Sequence, residues 1–174
     1  MVPQAMEKKP DCPKMEQQID EQFRKAFYDN IHQAVAADDH AYIVRLYTEI
    51  RDRLATLVKK DGNTYQKIHE EFDVPFFEQL LTHKQFDGNS MAGLVNTTFK
   101  WIHDLQMPLR DTSTEEARQR VFDAGGTTMA DFVTVYVKEV HMAIDLMVKD
   151  MKEFVANVDH PVVQEMLKQA VKYQ

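Results

Sequence analysis

Met107-Pro108-Leu109-Arg110-Asp111 interrupts a long helical pattern and gives the fold its first fixed point. Proline has no backbone N–H and disfavours the helical conformation of the residue before it. The helix that carries Trp101 therefore stops near Met107. Arg110 and Asp111 then stand at a helix–helix corner, where a guanidinium and a carboxylate can tie two helix ends together. The expectation is that Arg110 bonds a neighbouring helix end or carboxylate, and that Asp111 bonds nearby N–H groups.

Upstream of the corner, apolar residues recur at helical spacing. Ile19, Phe23, Phe27, Ile31 and Val35 predict one face of a first helix to about Ala36. Asp38 or Asp39 can cap a second helix, whose inner face is Ile43, Leu46, Tyr47, Ile50, Leu54, Leu57 and Val58, ended by Asp61-Gly62-Asn63. Thr64 can start a short helix through Tyr65, Ile68 and Phe72. Asp73 caps the next, with Pro75 in its first turn and Phe76, Phe77, Leu80 and Leu81 behind it. A break at Asp87-Gly88-Asn89-Ser90 precedes the helix from about Ser90 to Met107, which turns Met91, Leu94, Val95, Thr98, Trp101, Ile102 and Leu105 inward.

Downstream, Ser113 and Glu116 have the spacing of a capping box, and that helix ends at Gly125-Gly126. Thr127 or Thr128 caps the longest helix, about 30 residues by pattern, to about Val158. Its inner stripe is Met129, Phe132, Tyr136, Val140, Ala143, Met147, Met151 and Phe154. Asp131, Lys138, Asp145, Lys149 and Lys152 form an opposing charged stripe, a candidate partner surface. Asp159 and Pro161 open a last helix. Strand alternation and internal repeats are absent from the pattern. The fold class is all-α: an irregular, crossed bundle of about seven or eight helices around one long helix in the C-terminal half.

The chain of 174 residues is large enough to bury a real core without staples. Residues 1–14 hold prolines and charges with little to anchor them, and read as a disordered tail. Residues 15–174 are then a single helical domain. A net charge of −7 argues against a nucleic-acid partner or an anionic membrane surface. The single cysteine excludes an intrachain disulfide and suits a reducing compartment, with the cytoplasm as the expected location.

Candidate chemistry is sparse, and no cofactor is indicated. Asp29-x-x-His32 is one copy of a spacing that di-iron bundles need twice, with glutamates in place of aspartates and two more besides. His69-Glu70-Glu71 lacks the second histidine of a zinc helix. His103-Asp104 matches the adjacent ligands of a helical metal-dependent phosphohydrolase, if His69 or His83 precedes it and Asp145 or Asp150 follows. The bland alternative for this pair is a polar helix face. Cys12 lies in the expected tail, away from any pocket that could activate it. Ser90 and Ser113 read as caps, and no nucleophile elbow surrounds them. Met142, Met147 and Met151 suit either an adaptable partner groove or ordinary core.

Several stretches together resemble the t-complex protein 11 family. Ala26-Phe27-Tyr28-Asp29-Asn30-Ile31 is similar to the family's aromatic-rich opening helix, and Tyr47-Thr48-Glu49-Ile50-Arg51-Asp52-Arg53-Leu54 to its next helix. Phe72-Asp73-Val74-Pro75-Phe76-Phe77-Glu78-Gln79-Leu80-Leu81 resembles its Asp-containing entry into a short helix. A helix ending in Pro-x-Arg-Asp follows, here Pro108 to Asp111, and Val133 to Phe154 resembles the long Met- and Asp-bearing helix. The chain is short beside typical members, which points to a minimal version, such as a viral or microbial one, or to an excised domain. The resemblance implies a helical, non-enzymatic regulatory or scaffold protein with a protein partner, in a family associated with cyclic-AMP and protein kinase A signalling. It brings no catalytic or metal-binding residues. Pro108, Arg110 and Asp111 come with it as motif positions of structural role. The alternatives are a structural component of a larger assembly such as a virion, and the His-Asp phosphohydrolase.

Overall fold

One helix of 28 residues, Met129–Ala156, organises the molecule. The computed structural model describes residues 12–171. In chain order the helices are α1 (Cys12–Ala36), α2 (His40–Thr56), α3 (Asn63–Glu71), α4 (Val74–Thr82), α5 (Gly88–Leu105), a 3-10 turn (Pro108–Arg110), α6 (Asp111–Gly125), α7 (Met129–Ala156) and α8 (Pro161–Val171). Strands are absent among the described residues. The fold is all-α.

Short polar side chains start these helices by satisfying N–H groups that lack a helical partner. Asp39 accepts from the Tyr42 N–H, Asp73 from Phe76, Asp87 from Ser90 and Thr128 from Asp131. Asp87 is thus the cap of α5, and Ser90 lies inside the first turn. Asp38 takes a left-handed φ of 52° in the turn between α1 and α2.

Helices α1, α2, α5 and α6 all pack against α7. Phe132, Val133, Tyr136, Val137, Val140, Ile144 and Met147 of α7 are buried there. An aromatic chain carries the core outward to α4: ring centroids are 6.1 Å apart for Phe132–Tyr136, 6.3 Å for Phe86–Phe132 and 5.4 Å for Phe77–Phe86. The buried Tyr136 hydroxyl lies 2.8 Å from Thr98 Oγ1, which itself donates to the Leu94 carbonyl. Thr98 has only one hydroxyl proton, so Tyr136 donates to it. Every buried side-chain polar atom among the described residues has a hydrogen-bond partner.

Some expectations need correction. The capping box at Ser113 and Glu116 does not form. Helix α6 starts at Asp111, because the 3-10 turn runs straight into it and the Asp111 N–H bonds the Pro108 carbonyl. Preceding carbonyls do the work of a cap, and Ser113 Oγ donates back to the Arg110 carbonyl at 3.0 Å. Helix α1 begins at Cys12, within the expected tail of residues 1–14. A proline at position 13 is compatible with a first helical turn, where its missing N–H has no partner to lose. Positions 1–11 lie outside the described residues. The expected inner face of α1 is buried only from Ile31 onward; Ile19, Phe23 and Phe27 are exposed. Met151 on α7 is exposed as well, whereas Met147 is core.

Candidate functional site

The corner is built by Pro108. Its residue before, Met107, is extended with ψ 142°, so α5 ends at Leu105 and the chain turns. That turn aims Arg110 at α7. Its Nε donates to Asp150 Oδ2 at 2.9 Å and its Nη2 to Oδ1 at 2.8 Å, a fork-to-fork pair. Asp150 is 7% exposed, and Arg110's hydrogen bonds hold its carboxyl below the usual 3.8. Asp111 accepts from Gln106 Nε2 at 2.9 Å, and Gln106 Oε1 accepts from Thr114 at 2.5 Å. Gln106 therefore knots the end of α5 to the start of α6.

A second fork-to-fork pair lies further along the same seam. Arg120 on α6 donates to both oxygens of the buried Glu139 on α7, at 2.9 and 3.0 Å. Between the two pairs, Met142, Ala143 and Leu146 line a shallow hollow of about 80 Å³. From the sequence alone, Glu139 is not singled out, and Asp150 is offered only as a metal ligand of the hydrolase alternative, not as the partner of Arg110. The available signal was spacing: Glu139 and Asp150 are eleven residues apart, three helical turns, and so share a face of α7.

In the charged stripe of α7, Lys138, Asp145, Lys149 and Lys152 are exposed and Asp131 is partly exposed. Asp131 lies 3.6 Å from His32 of α1 and accepts from Thr127. Lys138 lines a groove against α1. Asp145 accepts from Arg53 Nη2 of α2 at 2.7 Å. Lys149 reaches Glu153 of its own helix at 4.0 Å, and Lys152 is exposed. The stripe is thus a solvated face whose members Asp131, Lys138 and Asp145 also reach toward α1 and α2.

The groove between α1 and α7 has a volume of about 510 Å³. Phe27 and Tyr28 form one wall; Lys138, His141, Met142 and Asp145 form the other. Arg53 reaches across from α2, with Nη1 2.7 Å from His141 Nδ1. A guanidinium can only donate, so His141 Nδ1 accepts and its ring proton sits on Nε2. Burial, then the Arg53 charge, push the His141 pKa below 6.5. Burial raises the Tyr28 phenol above 10.0.

Apolar side chains continue beyond this groove without cover. Met15, Ile19, Phe23 and Phe27 recur every four residues on α1, and Phe23 is 72% exposed. Met142, Met151 and Val155 on α7 and Val162 and Met166 on α8 are exposed too.

The residues of the hydrolase alternative do not converge. His103 Nδ1 lies 3.4 Å from Asp104 and its Nε2 3.6 Å from Asp111, all on the surface. His69 donates to the Tyr65 carbonyl one turn back. Asp145 and Asp150 are bound to arginines. No group of three or more metal-capable side chains forms among the described residues. No described helix is long and apolar enough to cross a membrane.

The sequence profile of T-complex protein 11 matches residues 3–174. The chain belongs to that family. No curated protein and no solved structure matches it. The Pro108 corner of this T-complex protein 11 family member is therefore a helix junction braced through Arg110–Asp150 and Gln106–Asp111.

Proposed function

We propose that the chain is a non-enzymatic protein-interaction module, a regulatory or scaffold protein of the cytoplasm that presents helix faces to a protein partner. One observation carries this reading: the apolar stripe Met15, Ile19, Phe23 and Phe27 stands exposed beside the α1–α7 groove. Exposed apolar side chains at i, i+4, i+8 and i+12 are the pattern by which one helix docks on another, and large exposed patches mark interaction surfaces. The mixed charges around the groove, among them Arg24, Lys138 and Asp145, supply the polar rim that orients a partner.

The test is site-specific photo-crosslinking in cells that express the chain. Benzoylphenylalanine at position 23 should give one defined protein adduct, and at exposed position 67 on α3 none. Absence of any adduct at position 23 would refute the proposal. So would metal-dependent nucleotide hydrolysis by the purified protein that is lost in His103→Ala.

A further inference from the structure

A second concavity shares no lining residue with the α1–α7 groove. It lies between α2, α4 and α5 and has a volume of about 220 Å³. Tyr47, Phe76, Phe77 and Phe86 turn aromatic rings toward it. The Tyr47 and Phe77 centroids are 4.4 Å apart, and Phe86 stands edge-on to Phe77 at 5.4 Å. Phe76 is 56% exposed although its neighbour Phe77 is buried.

Glu71 and Asp73 complete the lining. Among the described residues no lysine, arginine or histidine lines this cavity. Glu71 is partly engaged, accepting from Trp101 Nε1 at 2.5 Å and lying 3.6 Å from Lys100 Nζ. That lysine pair is exposed and correspondingly weak. Asp73 accepts the Phe76 N–H at 3.1 Å and has no cationic partner among the described residues.

Gly93 is part of the lining and is exposed. A glycine inside a helix is unfavourable, and here a Cβ would meet nothing within 4 Å. Packing therefore does not require it. The glycine adds no side chain to the lining. The volume is below the roughly 300 Å³ of ordinary small-molecule sites, so the pocket suits one long side chain better than a cofactor.

We propose that this pocket receives the side chain of a lysine or arginine from a protein partner. The aliphatic stem lies along Phe76, Phe77 and Phe86, and the charged head meets Asp73 and Glu71. Ring faces attract cations electrostatically, and the chain's net charge of −7 favours approach of a basic segment. Because the residues differ from those of α1, this inference stands or falls separately from the crosslinking result at position 23.

The experiment titrates the full-length protein with three blocked tripeptides, Gly-Xaa-Gly with arginine, lysine or norleucine at the centre. The backbone amide resonances of Gly93, Leu94 and Thr97 report binding. The arginine or the lysine peptide should shift these amides at concentrations about tenfold lower than norleucine. Arginine alone or lysine alone would identify which cation the pocket prefers and would support the proposal. Asp73→Asn keeps a competent helix cap and should weaken binding about fivefold or more. Gly93→Leu should abolish the shifts. Equal binding of norleucine, no shift with any peptide, or undiminished binding in Gly93→Leu would each overturn the proposal.

Discussion

Helices α1 and α7 carry apolar stripes of similar spacing, yet one is half bare and the other is largely enclosed. From Phe132 to Met147, α7 has α1, α2, α5 and α6 packed around it, and Val140 and Ile144 are fully buried. From Met15 to Phe27, α1 shows its stripe to solvent, and burial starts only at Ile31. An amphipathic pattern states that a helix has an apolar face. It does not state whether this chain or another supplies the cover. The enclosed stripe holds the molecule together, and the bare stripe is where it meets a partner under the proposed function.

The sharpest way to break that contrast is a pair of deletions of similar chemistry. Ile144→Ala removes a side chain with no exposed area and should cost about 2–5 kcal/mol of stability, read from urea unfolding. Phe23→Ser, the smallest effect expected, should stay within about 0.5 kcal/mol of the wild type, because its ring is already 72% exposed. A large loss in Phe23→Ser would show that α1 is covered in solution.

Between these extremes lie two electrostatic tests. Asp150→Asn should lower the melting temperature clearly at pH 7, because Arg110 loses its charged acceptor. Arg110 depresses the Asp150 pKa below 3.8 in the folded chain. The pair's contribution is therefore present above 3.8 and is lost as pH falls through the lower folded value. The gap between wild type and Asp150→Asn should close over that interval; a gap that persists in strong acid would mean the pair's charge is not what stabilises it.

His141 makes a smaller, opposite-charge version of the same argument. Its folded pKa is below 6.5, so the unfolded chain takes up a proton first as the solution is acidified. As pH falls, stability should decline from 6.5 down to the folded value, and it should be steady above 6.5. His141→Gln, which can still accept from Arg53, should flatten melting temperature against pH in that window. An unchanged slope would place the titrating group elsewhere.

Much of the fold was legible because its signals are local. Asp39, Asp73 and Thr128 cap where short polar side chains precede apolar periodicity, and Pro108 ends a helix for covalent reasons. The capping box at Ser113 was misread because a hydroxyl and a carboxylate at that spacing are useful only where N–H groups are free. The 3-10 turn had already supplied carbonyls. The spacing of Glu139 and Asp150 puts them on one face of α7, but it does not pair them with Arg110 and Arg120. A salt bridge across 40 residues depends on how two helices dock, which no local spacing encodes. Lys138 and Asp145, read as a face opposite the core, are exposed, and they also border the groove against α1.

The two arginine pairs that tie α6 and the turn before it to α7 have one more consequence. Arg110 closes the 3-10 turn that leads into α6 and Arg120 lies ten residues further on, while Glu139 and Asp150 are eleven residues, about 16.5 Å, apart on α7; the order of pairing shows that α6 and α7 run in opposite directions. Two dowels at such a separation fix a joint against sliding and against twisting. A slip of one helical turn, about 5.4 Å, would withdraw both at once and strand two carboxylates in a poorly hydrated seam. The charges cannot follow such a slip. They act as the gauge that tells α6 where along α7 to stop.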